Sequence, residues 1–303
     1  MSLDAQIAAM LPTPDPEATL SAADIPAMRT QMRTIGDGLS RPSDGVREDH
    51  RVGEMPLRLY RPARCDGAGL LVFLHGGGWV FGDLDTHDAM TTRIAAEARC
   101  AVLAVGYSLA PERPYPAALD DCDRAFAWAV ANATQLGLDP SRVAIGGESA
   151  GANLAAAVTL RRRERGEAPP LFQCLIHPVT DMRFTAASID TVVGPGPHRG
   201  YMELARALYL GPDGDVEDPG VSPLLAAHHE HLPPAIVLTA ECDPLRDDGE
   251  TYALALAASG VETLVQRLPG LPHGFLFLPA ELQAVDRAYR LLGALLRRYA
   301  DTR

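Results

Sequence analysis

The 303-residue chain has little that would staple a small secreted fold or hold a structural metal. Its five cysteines, Cys65, Cys100, Cys122, Cys174 and Cys242, are scattered, odd in number and form no C-x-x-C pair. That pattern argues against a disulfide framework and against a zinc site. Most of the thiols sit in apolar stretches, where they act as small hydrophobes. Positive charge is short as well. The formal net charge is −12, whereas nucleic-acid binding needs clustered cations facing phosphates. The one basic run, Arg161-Arg162-Arg163 with Arg165, falls at the end of a predicted helix, where cations suit the dipole and the exposed carbonyls. No stretch nears the roughly 20 apolar residues that span a bilayer. Met1 to Leu11 lacks the basic start and apolar run of a secretory leader. Internal repeats and low-complexity tracts are missing too. The expectation is a soluble, reduced, cytoplasmic protein that binds no nucleic acid and carries no membrane span.

What is present fits one large globular α/β unit: 47% of residues are hydrophobic and 22% charged. Ile25, Met28, Met32 and Ile35 recur at near-helical spacing, and Gly36, Asp37 and Gly38 are expected to stop that helix. Leu57 and Leu59 alternate with arginines, as in an edge strand. Residues 69–74, 100–105, 143–145, 171–176 and 235–238 are continuous apolar runs, the mark of strands buried on both faces. A further strand is expected at about 262–267. Helical segments fall at about 116–135, 150–164, 247–259 and 283–300. Such alternation predicts a mostly parallel central sheet with helices on both faces. Residues 182–232 break the rhythm, with Gly194-Pro195-Gly196-Pro197, a helical run from Tyr201 to Leu210, and then turn-rich sequence. An insertion of that length with an apolar helix inside it reads as a lid.

Residues 147–151 contain G-x-S-x-G: Gly147, Ser149 and Gly151. The motif follows a buried strand and opens an alanine-rich helix. Its two glycines let strand and helix pass closely, and the serine hydroxyl stands at a helix N-terminus, where developing negative charge is favoured. That makes Ser149 a nucleophile candidate. His75-Gly76-Gly77-Gly78 comes directly after the strand at 69–74. Consecutive glycines bare their N–H groups to a substrate oxygen, and the N–H of Ala150, after the serine, would complete an oxyanion hole. A phosphate cradle would need Lys-Ser/Thr next; instead Trp79-Val80-Phe81 follows, which suits an apolar acyl pocket. His75 is read as shaping the glycine loop.

The strand at 235–238 ends in Ala-Glu-Cys-Asp-Pro-Leu-Arg-Asp-Asp. A carboxylate past a strand's carboxyl end is well placed for a site. Asp243 is the first choice, because Pro244 holds it extended; Glu241, Asp247 and Asp248 remain alternatives. His273 lies in a Gly/Pro-rich loop thirty residues on. Its imidazole titrates near neutrality and can take and return the serine proton. The order Ser, Asp, His is that of α/β-hydrolases. His228, His229 and His231 form a small cluster read as an exposed polar loop.

Seven segments together resemble the hormone-sensitive-lipase-like esterases: HGGGW at 75–79, YSLAPE at 107–112, PYPAALDD at 114–121, GESAGANLA at 147–155, SPLLA at 222–226, AECDPLRDDGE at 240–250 and PHGF at 272–275. The resemblance implies an α/β-hydrolase fold with residues 46–181 and 223–303 as the catalytic domain. It implies a helical cap made of residues 1–45 and the 182–222 insertion. It implies Gly77, Gly78 and Ala150 as oxyanion donors, and hydrolysis of short to medium acyl esters with no cofactor and no metal. Homodimers are common among such enzymes. Glu148, Ala152 and Ser108 stand where Asp, Gly and Arg are usual. With Trp79 and Phe81, cap residues Tyr201 and Leu204 are expected to shape the substrate pocket. The same triad also serves amidases and peptidases, and related receptors bind small molecules without catalysis, so these two alternatives stay open at this stage.

Overall fold

The computed structural model describes residues 2–11, 21–39, 45–192 and 195–301. Eight strands form one sheet: β1 (Val46–Val52), β2 (Met55–Arg61), β3 (Leu70–Leu74), β4 (Ala101–Val105), β5 (Val143–Glu148), β6 (Gln173–Ile176), β7 (Ala235–Cys242) and β8 (Thr263–Pro272). Their order is β1-β2-β4-β3-β5-β6-β7-β8. The β1–β2 and β2–β4 pairs are antiparallel, and every later pair is parallel. The helices are α1 (Ala5–Met10), α2 (Ile25–Leu39), α3 (Asp88–Ala98), α4 (Ala117–Asn132), α5 (Ala150–Glu164), α6 (Ser188–Thr191), α7 (Arg199–Leu210), α8 (Arg246–Ala258) and α9 (Gln283–Asp301).

The expected apolar runs are the central strands because both sheet faces are covered. Along β3, Leu70, Val72 and Leu74 point into one core with α4, α5 and α8, while Leu71 and Phe73 point into a second core with α3 and α9. Strand side chains alternate between faces, so each core takes every second residue. A helix that must approach such a sheet closely needs small residues. α5 supplies them, with Ala150, Ala152, Ala155, Ala156 and Ala157 all buried.

Two expectations change. Gly36–Gly38 do not end α2, which continues to Leu39. Gly36 is a point of close approach, since a Cβ there would lie 2.7 Å from the Thr86 carbonyl oxygen. The Leu57/Leu59 strand is not the edge: β2 pairs on both sides, and the exposed strand β1 takes the edge. The 182–222 interval contains α6 and α7, while Gly194 lies outside the described residues. The arginine run closes α5 as expected and is fully engaged. Arg161 pairs with Asp120, Arg162 and Arg165 pair with Asp123, and Arg163 donates to the His228 carbonyl. Among the described residues no helix is long and apolar enough to cross a membrane.

Candidate active site

Strands β3, β5 and β7 all end at one edge of the sheet, and each delivers one part of the site. At the end of β5, Ser149 has φ +54° and ψ −120°, a left-handed conformation that costs a non-glycine residue about 1–3 kcal/mol. The surroundings enforce it. Ser149 N–H donates to the Ile176 carbonyl at 2.9 Å. A Cβ at Gly147 would lie 2.5 Å from the Leu74 carbonyl oxygen, and one at Gly151 would collide with that same oxygen. The two glycines are thus the condition for β3, β5 and α5 to meet.

Past β7, the Asp243 Oδ1 accepts from the Leu245 N–H at 2.8 Å, and its Oδ2 accepts from His273 Nδ1 at 2.9 Å. His273 Nε2 lies 2.9 Å from Ser149 Oγ. An ionised carboxylate only accepts, so Nδ1 carries the proton and Nε2 faces the serine hydroxyl as acceptor. Burial alone would lower the His273 pKa. The charge of Asp243, its hydrogen bond and the charge of Glu148 outweigh burial and leave the pKa above its usual value. The alternatives to Asp243 are engaged elsewhere. Glu241 accepts from Gly270 N–H, Asp247 from Ser188 N–H, and Asp248 from Thr180 N–H.

The glycine loop after β3 carries positive φ at Gly77 (+112°) and Gly78 (+57°). The N–H groups of Gly77, Gly78 and Ala150 find no acceptor among the described residues, and all three residues line the cavity over Ser149. His75 Nδ1 donates to the Gly76 carbonyl at 2.7 Å, and its ring stacks on Tyr107 at 4.1 Å. Burial pushes its pKa down to about 3, so it braces the loop as a neutral ring.

The cavity measures about 370 Å³, a size suited to a small organic ligand. Trp79, Phe81 and Tyr201 line it as expected, together with Met32, Val179, Phe184, Met202, Ala205 and Leu245. Leu204 is not on its wall. Each helical residue turns about 100°, which puts residues 201, 205 and 202 on one arc of α7 and 204 on the other side of 201. The hydroxyl of Tyr201 sits 2.6 Å from where a Cβ on Gly78 would begin, so α7 rests directly on the glycine loop. The sequence reading also missed His198, another wall residue, whose Nδ1 accepts from Tyr201 N–H and caps α7. Of the small histidine cluster, His229 is buried and its Nε2 lies 3.0 Å from the Pro223 carbonyl oxygen, which departs from an exposed loop.

Residues 71–277 match a family described as having the alpha/beta hydrolase fold. The chain belongs to the α/β-hydrolase family. Within it, the resemblance to the hormone-sensitive-lipase-like esterases holds. The carboxylic ester hydrolase LipN of Mycobacterium tuberculosis is 41% identical over 84% of this chain and 71% of its own. The ethyl acetate hydrolase of Pseudomonas putida is 36% identical over 87% and 83%. The solved structure of a hyperthermophilic esterase from Pyrobaculum calidifontis superposes with a TM-score of 0.86 at 32% identity, covering 99% of both chains. This α/β-hydrolase is an enzyme, a serine ester hydrolase by kinship.

Proposed function

We propose that the enzyme hydrolyses uncharged carboxylic esters of short to medium acyl chain through an acyl-enzyme on Ser149. One observation carries the reading: two hydrogen bonds of 2.9 Å join Asp243, His273 and Ser149 beneath an apolar cavity lined by three unengaged backbone N–H groups. His273 takes the serine proton as Oγ attacks the ester carbonyl, and Asp243 keeps the imidazole in the required tautomer and steadies the cation that forms. Gly77, Gly78 and Ala150 donate to the oxyanion, each such donor contributing roughly 3–4 kcal/mol. His273 returns the proton to the leaving alcohol, then activates water to release the acid.

The size and apolar walls of the cavity support short to medium chains, and the name of the Pseudomonas relative fits the short end. Residues 1–45 and 182–222 act as the cap: Met32 of α2 and Tyr201, Met202 and Ala205 of α7 form the wall facing the triad. The five unpaired thiols suit a reducing compartment such as the cytoplasm. Ser149→Ala tests the reading on p-nitrophenyl butyrate. Turnover should fall by about 10⁴-fold or more, and labelling by a fluorophosphonate should vanish; turnover that survives the substitution overturns it.

A further inference from the structure

Asp243 is not the sole carboxylate near the imidazole of His273. Glu148, the residue before Ser149, is 2% exposed. A side chain at Gly76 would collide with its carboxylate, coming within 2.5 Å of Cδ, so the glycine loop is seated on it. Its Oε1 accepts from His87 Nε2 at 3.3 Å, and its Oε2 stands 3.6 Å from His177 Nε2. His177 is fully buried, holds a left-handed φ of +37°, and packs its ring 4.3 Å from that of His273. Neither ring nitrogen of His177 makes a hydrogen bond among the described residues. Burial drives its pKa down to about 4, so a neutral ring stands beside both Glu148 and His273. A charge acts strongly among groups buried this deeply, because the effective dielectric there is lower than in water.

We propose that Glu148, acting across His177, is a positioning residue: a second carboxylate that stabilises the protonated His273 formed in each acyl-transfer step while it props the oxyanion loop. The inference rests on the Ser149–His273–Asp243 reading. Burial works against ionisation of Glu148, but the hydrogen bond from His87 and the nearby histidines outweigh it and hold its pKa at about 2. Glu148 is therefore charged over the working range. Besides His87 and His177, one imidazole and three phenols face it. Burial holds His75 neutral and pushes the hydroxyls of Tyr107, Tyr201 and Tyr289 up. The charges that raise the His273 pKa are Asp243 and Glu148.

The test is the pH profile of kcat/KM for p-nitrophenyl butyrate in the native enzyme, Glu148→Gln and Glu148→Asp. Turnover needs a neutral His273, so a lower His273 pKa moves the acid limb to lower pH. Glu148→Gln should move it down by about half a unit or more and reduce kcat roughly tenfold, with KM little changed. Glu148→Asp keeps the charge one methylene further back, so it should shift the limb less, in the same direction, and recover most of kcat. Should Glu148→Gln not fold, the Glu148→Asp limb decides. A limb that stays at the native pH in every folded variant overturns the proposal and leaves Glu148 a packing residue. Failure of the underlying reading looks different: Ser149→Ala would keep its turnover, or the native profile would show no limb in the histidine range.

Discussion

The floor and the roof of the cavity are built by different means. The floor, where β3 and β5 run into the glycine loop and α5, is fixed by backbone. Ser149, Gly77 and Gly78 all hold positive φ, and added Cβ atoms at Gly147 and Gly151 would strike main-chain carbonyls. The roof, from α2, residues 195–198 and α7, reaches the cavity through side chains such as Met32, Tyr201 and Met202. Backbone constraints admit few residue types, whereas a side-chain wall can be refilled by others of similar volume. The chemistry should therefore be brittle and the specificity pliable.

Gly151→Ala attacks the floor hardest. Its new Cβ would strike the Leu74 carbonyl and come 2.5 Å from that of His75. Esterase activity should be lost and the melting temperature lowered, both read from one purified sample by turnover and calorimetry. A near-native enzyme would break the contrast. Asp243→Asn keeps the shape of the site but disfavours the required tautomer of His273, and kcat should fall about 10³–10⁴-fold with little change in the circular-dichroism spectrum. Phe184→Ala enlarges the side-chain wall of the cavity. The kcat/KM ratio of p-nitrophenyl octanoate to butyrate should rise by roughly three- to fivefold, in line with about 0.8 kcal/mol per buried methylene. An unchanged ratio would mean that the acyl chain lies elsewhere.

The smallest effect on turnover concerns Asp248, outside both walls. Burial raises its pKa to about 7, although Thr180 N–H and Oγ1 and Asp181 N–H all face its carboxylate. A carboxyl whose folded pKa is raised stabilises most below its unfolded pKa, and that contribution fades as pH climbs toward 7. Between pH 5 and 8 the native enzyme should lose roughly 2–3 kcal/mol of stability from this group. Asp248→Asn should flatten the loss, as urea titrations at the two pH values would read.

The same contrast accounts for what was legible in the amino-acid sequence. Gly147-x-Ser149-x-Gly151 and His75-Gly76-Gly77-Gly78 announce the floor, because backbone geometry restricts residue type and so leaves a local pattern. Asp243 and His273 follow from chain order and from their place past strands. The roof leaves no such pattern. Leu204 looked like a wall residue because it is large and apolar, but the phase of α7 against the glycine loop is a tertiary fact. Gly36 looked like a stop because its contact, Thr86, lies fifty residues away. The Glu148–His177 approach joins the ends of β5 and β6, and nothing local in either segment records it.

The seat of Tyr201 on the glycine loop has an evolutionary consequence. Its hydroxyl occupies the place a side chain at position 78 would take, so the helix proposed to select the acyl group also leans on the amides proposed to hold the oxyanion. Lineages that remodel this helix to take up a new ester inherit a changed turnover in the same step. Laboratory selections for new substrates should accordingly recover compensating changes in residues 76–81, far along the chain from the helix under selection.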